Sequence, residues 1–234
     1  EGMCYVNLLA PRSHEQLNNY FSYQLAKLMG LLAPRTELVR VFVNGKDMGV
    51  HTLVEQLKET TLRQAGLMPG DLYRGEMVGK DSYVGIKAST LWESASVWDK
   101  VAINNHYDDD ANAPIQHLLK IIQESDSIES QSKLNQILDI ETWAKFSAFE
   151  SFTQELHTDN IHNWRLYYDP WRQKFIPIVW DTMGWCTQVK GKKFKAELIP
   201  NRLIELLFEN EDFINARDKA FSSFFDSGQD ALFL

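Results

Sequence analysis

HTDNIHNWRLYYDPWRQKFIPIVWD, residues His157 to Asp181, carries the spacing on which the fold turns. Asp159 and Asn163 stand four residues apart near its start, and Asp181 closes it. Between them, WRLYYD and KFIPIVWD are rich in aromatic and β-branched residues and are separated by Asp169-Pro170, a turn dipeptide, so the stretch predicts a β-hairpin. A hairpin folds the chain back on itself, so two acids 22 positions apart, Asp159 and Asp181, can face one site. Phosphoryl transfer needs that kind of meeting: an acid to orient an attacking hydroxyl, and oxygen ligands to hold a divalent ion on the phosphates. Protein kinases meet it with an Asp, an Asn a few residues later, and a metal-holding Asp beyond a short hairpin. On that grammar Asp159 is the base or hydroxyl-orienting group, Asn163 a metal ligand and Asp181 the principal magnesium ligand. The spacing alone is weak, because Asp and Asn beside strands mostly make turns.

Working outward, the local signals divide the chain. SHEQLNNYFSYQLAKLMG offers a capping box, Ser13 with Gln16, then Leu17, Phe21, Leu25 and Leu28 at helical spacing, and Gly30 as a stop. TELVRVFVNGKDMGVHTLVEQL places Asn44-Gly45 between two Val-rich runs and predicts a hairpin. DLYRGEM and SYVGIKAS read as further short strands. From about Ala95 the apolar period lengthens: APIQHLLKIIQES with Pro114 in its first turn, SQSKLNQILD, IETWAKFSAFESFTQEL with Asp139 as N-cap, and NRLIELLFENEDFINARDKAFSSFFD all predict helix. The expected fold class is α+β, one domain with a strand-rich lobe over about 1–94 and a helical lobe over about 95–234, into which the hairpin is set. The opening EGMCYVNLL reads as a strand without a partner and has no initiator Met, which predicts that further sequence precedes it.

The bulk properties exclude several classes of function. With 234 residues, 44% hydrophobic and 12% aromatic, the chain can bury a sizeable core. A formal charge of −8 argues against nucleic acid or an anionic membrane as main partner. Lys190, Lys192, Lys193 and Lys195 form a local basic cluster that reads as a solvated loop or a seat for an acidic substrate. Cys4 and Cys186 give neither a metal pair nor a disulfide framework. The longest apolar run, FIPIVW, is strand-sized and does not span a bilayer.

GMCYVNLL, LNNYFSYQLAKLMGLLAPRTELVRVFVNGKDMGVHTLVEQL, GDLYRGE, DNIHNWRLYYD, KFIPIVWD and IELLFENEDF stand in order, and together they resemble the CotH family, spore-coat protein H and its relatives. The resemblance implies a divergent, secretory-type protein kinase fold, ATP with magnesium or manganese as cofactors, a nucleotide and a hydroxyl-bearing protein as partners, and an extracellular or cell- and spore-surface location. It puts Asp159 and Asn163 on the family's catalytic-loop positions and Asp181 on its metal-binding Asp. Glu55, in LVEQ, matches a family carboxylate that orients a basic residue or binds metal. For a cation on the nucleotide phosphates the resemblance offers Lys87, in GIKAS, and Arg74, in LYRG, where relatives often carry Lys. Arg keeps the charge and changes its shape. The chain also departs from the family's WDxD pattern: it reads WDTMG, with Met183 where a second acid is expected, and a thioether does not replace a carboxylate on magnesium.

Plainer readings stand beside these. Trp164, Tyr167, Tyr168 and Trp180 alternate as core or cross-strand packing. Lys87 reads equally as a surface strand lysine, and Glu55 as the partner of a nearby Arg such as Arg40. GEMVGK, Gly75 to Lys80, is one residue short of a phosphate-binding loop and continues with Asp81, so it reads as a turn. HTDNIH contains His157, Asp159 and His162, but no third His or Cys follows in a zinc spacing. Three functions therefore remain in view: an ATP-dependent protein kinase, a non-catalytic kinase-like module for surface or coat assembly suggested by Met183 and Arg74, and a metal-dependent hydrolase using His157 to His162.

Overall fold

The computed structural model of the chain describes residues 3, 5–10, 17–77, 88–101, 112–124, 128–154, 157–182 and 195–233. Its first sheet has the order β1-β3-β2, built from β1 (Val6–Leu9), β2 (Thr36–Val43) and β3 (Lys46–Glu55), all antiparallel. The turn between β2 and β3 is the expected one, because Asn44 and Gly45 both take positive φ, 51° and 79°, as a tight hairpin turn requires. The opening strand is partnered after all: Val6 to Leu9 pair with Glu55 to Thr52 of β3. Helix α1 (Asn18–Leu28) lies between β1 and β2 in sequence and buries Ser22, Tyr23, Leu25 and Ala26. Its described N-cap is Leu17, which makes no side-chain cap bond, and Ser13 and Gln16 lie outside the described residues.

A bidentate ion pair ties β3 to the link between α1 and β2. Arg35 Nε and Nη2 donate to Glu55 Oε2 and Oε1 at 3.1 and 2.8 Å, with the Glu55 side chain only 2% exposed. Arg40, the partner expected from sequence, instead donates to Asp47 across the hairpin.

The second sheet crosses the sequence. Its order is β5-β4-β6-β7, antiparallel throughout, with β4 at Asp71–Gly75, β5 at Trp98–Lys100, β6 at Trp164–Asp169 and β7 at Lys174–Pro177. A boundary near residue 94 therefore does not separate the sheets, since β4 pairs along its length with β6, from Asp71↔Tyr168 to Gly75↔Trp164. Gly75 is required there: a Cβ would lie 2.8 Å from the Trp98 ring. The β6–β7 turn is closed by Asp169, whose Oδ1 accepts the N–H groups of Trp171 and Arg172 at 3.0 and 3.2 Å.

Helices α2 (Glu59–Gln64), α3 (Ala113–Gln123), α4 (Ile128–Ile137), α5 (Ile140–Thr153), α6 (Arg202–Phe208), α7 (Glu211–Asp226) and α8 (Gln229–Phe233), with one 3-10 turn at Ala95–Val97, complete the described elements. The run read as one terminal helix is broken at Asn210, whose Oδ1 accepts from Asp212 and Phe213 N–H and starts α7 afresh. α5 is the central element, burying Trp143, Phe146, Phe149, Glu150 and Ser151 on several sides. Arg217 of α7 reaches it, donating to Ser147 Oγ at 3.1 Å and Ser151 Oγ at 2.9 Å while its guanidinium lies against the Phe208 and Phe221 rings. At the other end Asp139 caps α5, accepting Thr142 N–H at 3.1 Å and Thr142 Oγ1–H at 2.8 Å, and receives the Arg172 guanidinium on Oδ2. Of the predicted strands and loops, SYVGIKAS lies outside the described residues except for its last two, Ala88 and Ser89, and the basic cluster except for Lys195.

Two outcomes are expected. Burial pushes the Asp139 carboxyl up, but its Thr142 bonds and Arg172 outweigh burial and hold it below the ordinary range. A depressed carboxyl contributes stability that is present above its unfolded pKa and lost as pH falls through the folded value. Asp139→Ala should therefore cost about 1–2 kcal/mol in urea unfolding at neutral pH, with a shallower loss of stability in acid than the native protein; parallel acid limbs would contradict the linkage. Glu55→Gln, which breaks a buried partner of Arg35, should lower stability by about 1–3 kcal/mol, and an unmoved urea midpoint would remove the pair from the structural account.

Candidate active site

Because β6 and β7 run antiparallel, residues just before β6 and just after β7 emerge at the same end of the hairpin. Ile178 N–H still donates to the Arg165 carbonyl at 2.9 Å, which carries the pairing beyond β7 and delivers Trp180 and Asp181 beside loop 157–163. The loop itself is fixed from the core. Trp164, 1% exposed, stacks on Trp143 with centroids 6.0 Å apart, and its Nε1–H donates to the Asp159 carbonyl at 2.6 Å.

His157 joins the two ends of the hairpin. Its Nδ1 lies 2.8 Å from the Asp181 carbonyl, 3.4 Å from Asp181 Oδ2 and 3.0 Å from Asn163 Nδ2. With a proton on Nδ1 the ring donates to the Asp181 carbonyl, and Asn163 Nδ2 donates to the His157 carbonyl at 3.1 Å. That arrangement leaves Asn163 Oδ1 as an acceptor. Asp181 is held from the far side as well, its N–H donating to Tyr23 Oη of α1 at 2.8 Å. Asn163 and Asp181 both adopt left-handed backbone, φ 66° and 46°, a conformation that non-glycine residues adopt at a cost.

Asp159 is anchored by one oxygen. Its Oδ1 accepts Ile161 N–H, His162 N–H and His162 Nδ1 at 2.7, 3.0 and 2.7 Å, and among the described residues Oδ2 takes no hydrogen bond. The His162 ring meets the His157 ring edge to face, with centroids 4.9 Å apart, so Asp159 connects through two imidazoles to Asp181 and Asn163. The two histidines are thus each turned to one Asp, and among the described residues no three His, Cys, Asp or Glu gather as a metal site.

The remaining sequence candidates fall elsewhere. Glu55 is occupied by Arg35, the plain structural partnership read beside its site role, made with Arg35 in place of Arg40. Arg74 sits on β4 opposite Arg165 and is paired with Asp99 of β5 at 2.7 Å, its side chain 45% exposed. Lys87 and Met183 lie outside the described residues. Three residues without an assigned role in the sequence reading stand at the site instead. Arg165 packs its guanidinium 5.1 Å from the Trp180 ring, and burial pulls its pKa down to about 10, against the opposing charges of Glu76 and Asp181. Glu76 directs Oε2 toward Asn163 N–H at 3.5 Å, and its buried Oε1 has no hydrogen-bond partner among the described residues. Tyr23 is the third. Glu76 stood in the quoted GDLYRGE, but nothing local marks it or Tyr23 as neighbours of residues some 87 and 158 positions away.

Trp164 and Tyr167 are buried as packing residues, while Trp180 is half-buried under Arg165. The oxygens gathered here are hard donors on a strained, anchored frame, suited to a small divalent cation and to phosphate chemistry. No curated protein matches the chain. The sequence model of one family, described as CotH kinase protein, matches residues 12–222 of the 234. That match covers nearly the whole chain, including both sheets' hairpins and every residue of the cluster, and with the mixed α+β architecture it places the protein in the kinase-like CotH family.

Proposed function

We propose that the chain is an atypical protein kinase that moves the γ-phosphoryl group of ATP to a protein hydroxyl. The observation that carries this reading is the meeting of Asn163 and Asp181 on His157, with Asp159 on the same loop presenting Oδ2 outward from its anchored Oδ1. Asp181 and Asn163 Oδ1 would hold magnesium or manganese, and the buried Oε1 of Glu76 beside Asn163, unpartnered among the described residues, fits a nearby positive charge. When bound, the ion neutralises charge on the β- and γ-phosphate oxygens. Asp159 Oδ2 orients the acceptor hydroxyl; its oxygen bonds to the γ-phosphorus as the bond to the β-phosphate oxygen breaks, and the hydroxyl proton passes to the carboxylate. Arg165 supplies fixed positive charge from the hairpin, with Arg74 its neighbour across the sheet and Lys87 the further candidate for the phosphates. The family also suggests work at an extracellular, cell or spore surface.

A nucleotide-binding or coat-assembly module without turnover is the second reading. The pairing of Arg74 with Asp99 favours it, because a phosphate ligand at that position would first have to leave its carboxylate.

Two measurements separate these. Incubation of the native chain with labelled ATP and a general acceptor protein should transfer label, and Asp159→Ala should lower the rate at least ~100-fold; equal labelling would end the assignment of Asp159. ATP with magnesium should raise the melting temperature, a gain equivalent to about 2.7 kcal/mol at a hundredfold excess over Kd, and Asp181→Ala should abolish it. A nucleotide-dependent shift with no label in any acceptor selects the module.

A further inference from the structure

A cavity of about 470 Å³ opens among the end of α1, the end of β3, α2, the start of α5 and the β6–β7 hairpin. None of its described lining residues belongs to loop 157–163, and the reading above does not use it. Its floor is apolar: Leu32 and Ile176 belong to one buried cluster on which Leu67 packs, and all three line the cavity. Three cations stand on its walls, Lys27, Arg35 and Arg172. Each keeps accessible surface, Lys27 as an exposed residue and the Arg35 and Arg172 side chains at 29% and 51% exposure. A ligand in the cavity can therefore touch them.

The cations differ in how far they are neutralised. Arg35 covers both oxygens of Glu55, the one carboxylate of the lining among the described residues. Arg172 is paired with Asp139 through Nη2. Lys27, in the last turn of α1, makes neither hydrogen bond nor ion pair among the described residues. Burial and the Arg35 charge pull its pKa down against the attraction of Glu55 and Glu37, as expected of an ammonium short of a counter-charge. In a chain of formal charge −8, this cavity carries a surplus of one positive charge.

We propose that the cavity binds an organic monocarboxylate, its apolar body on Leu32, Leu67 and Ile176 and its carboxylate on the ammonium of Lys27. The volume and the lining are those of small-molecule sites, which run to roughly 300–1,000 Å³ and combine a mainly apolar wall with a few polar groups. The single surplus cation selects the charge. A carboxylate carries one negative charge, whereas a phosphate monoester carries about 1.5–2 at neutral pH and would leave part of it unmatched beside Glu55. A cationic ligand would meet three like charges, and a neutral one would leave Lys27 without a partner. The site is independent of phosphoryl transfer, because the groups that bind lie outside loop 157–163.

The probe is decanoate, titrated into the whole chain below its micelle-forming concentration and followed by calorimetry, with decanol and decyl phosphate beside it. Decanoate should bind one to one and at least about tenfold more tightly than decanol, the difference made by one hydrogen bond to a charged group. Lys27→Gln, at an exposed position, leaves the fold its contacts and should weaken decanoate about tenfold with decanol unchanged. Ala65→Phe, at an exposed position of the cavity wall, takes up space without altering charge and should weaken both. Equal affinities for decanoate and decanol, or decanoate binding unchanged in Lys27→Gln, overturns the seat on Lys27. Tighter binding of decyl phosphate overturns the choice of anion. No binding of decanoate, or binding untouched by Ala65→Phe, overturns the cavity as the site.

Discussion

With its ring stacked on Trp143 and its Nε1–H given to the carbonyl of Asp159, Trp164 fastens loop 157–163 to the core at both ends. Asn163 is its immediate neighbour in the chain, and Asp159 is held from behind through its own backbone. A fully buried indole cannot shift without opening a cavity, so the loop inherits the rigidity of the core although Asn160 and Ile161 at its middle are exposed. Trp143 closes the circuit by donating Nε1–H to the Phe175 carbonyl of β7, the strand that leads to Asp181. One aromatic stack therefore sets both sides of the site relative to each other.

Within that frame, His157 makes the difference between two nearby loops and one site. Its Nδ1–H goes to the main-chain carbonyl of Asp181 while its own carbonyl accepts Asn163 Nδ2–H, which ties both residues to His157. The positive φ at both residues is maintained by these contacts and by Tyr23 on the far side of Asp181. Helix α1, from the first third of the chain, thus has a direct hand in the position of an acid from the last third. Such an arrangement couples the β1-β3-β2 sheet region to the hairpin through the Tyr23 phenol oxygen, beside the bond from Val179 N–H to the Leu32 carbonyl.

Much of this was legible in the sequence wherever the signal was local. Asn44-Gly45 marks its turn, Asp139 its cap, and the two β-rich runs either side of Asp169-Pro170 a hairpin that returns on itself. What needed long-range pairing was not. DLYRGEM reads as a strand, but nothing in its seven residues says that it will lie against β6. Arg40, within β2, reads as a partner for Glu55, yet strand register hands it Asp47 and leaves Glu55 to Arg35. α2 is only six residues long, too short for a period to show, and the break at Asn210 was masked by apolar spacing that runs on through it. Tyr23 and Glu76 carry no local mark because their role exists only once the sheets have assembled.

Met77 N–H donates to the Ile161 carbonyl, and Leu91 N–H to the Asn160 carbonyl. Residues 77 and 91 are therefore held at adjacent positions of loop 157–163, each through a main-chain carbonyl of that loop. The segment that carries Asp159 is thus clasped along its backbone as well as from Trp164, so a change that disturbs either main-chain bond reaches the acid without touching its side chain.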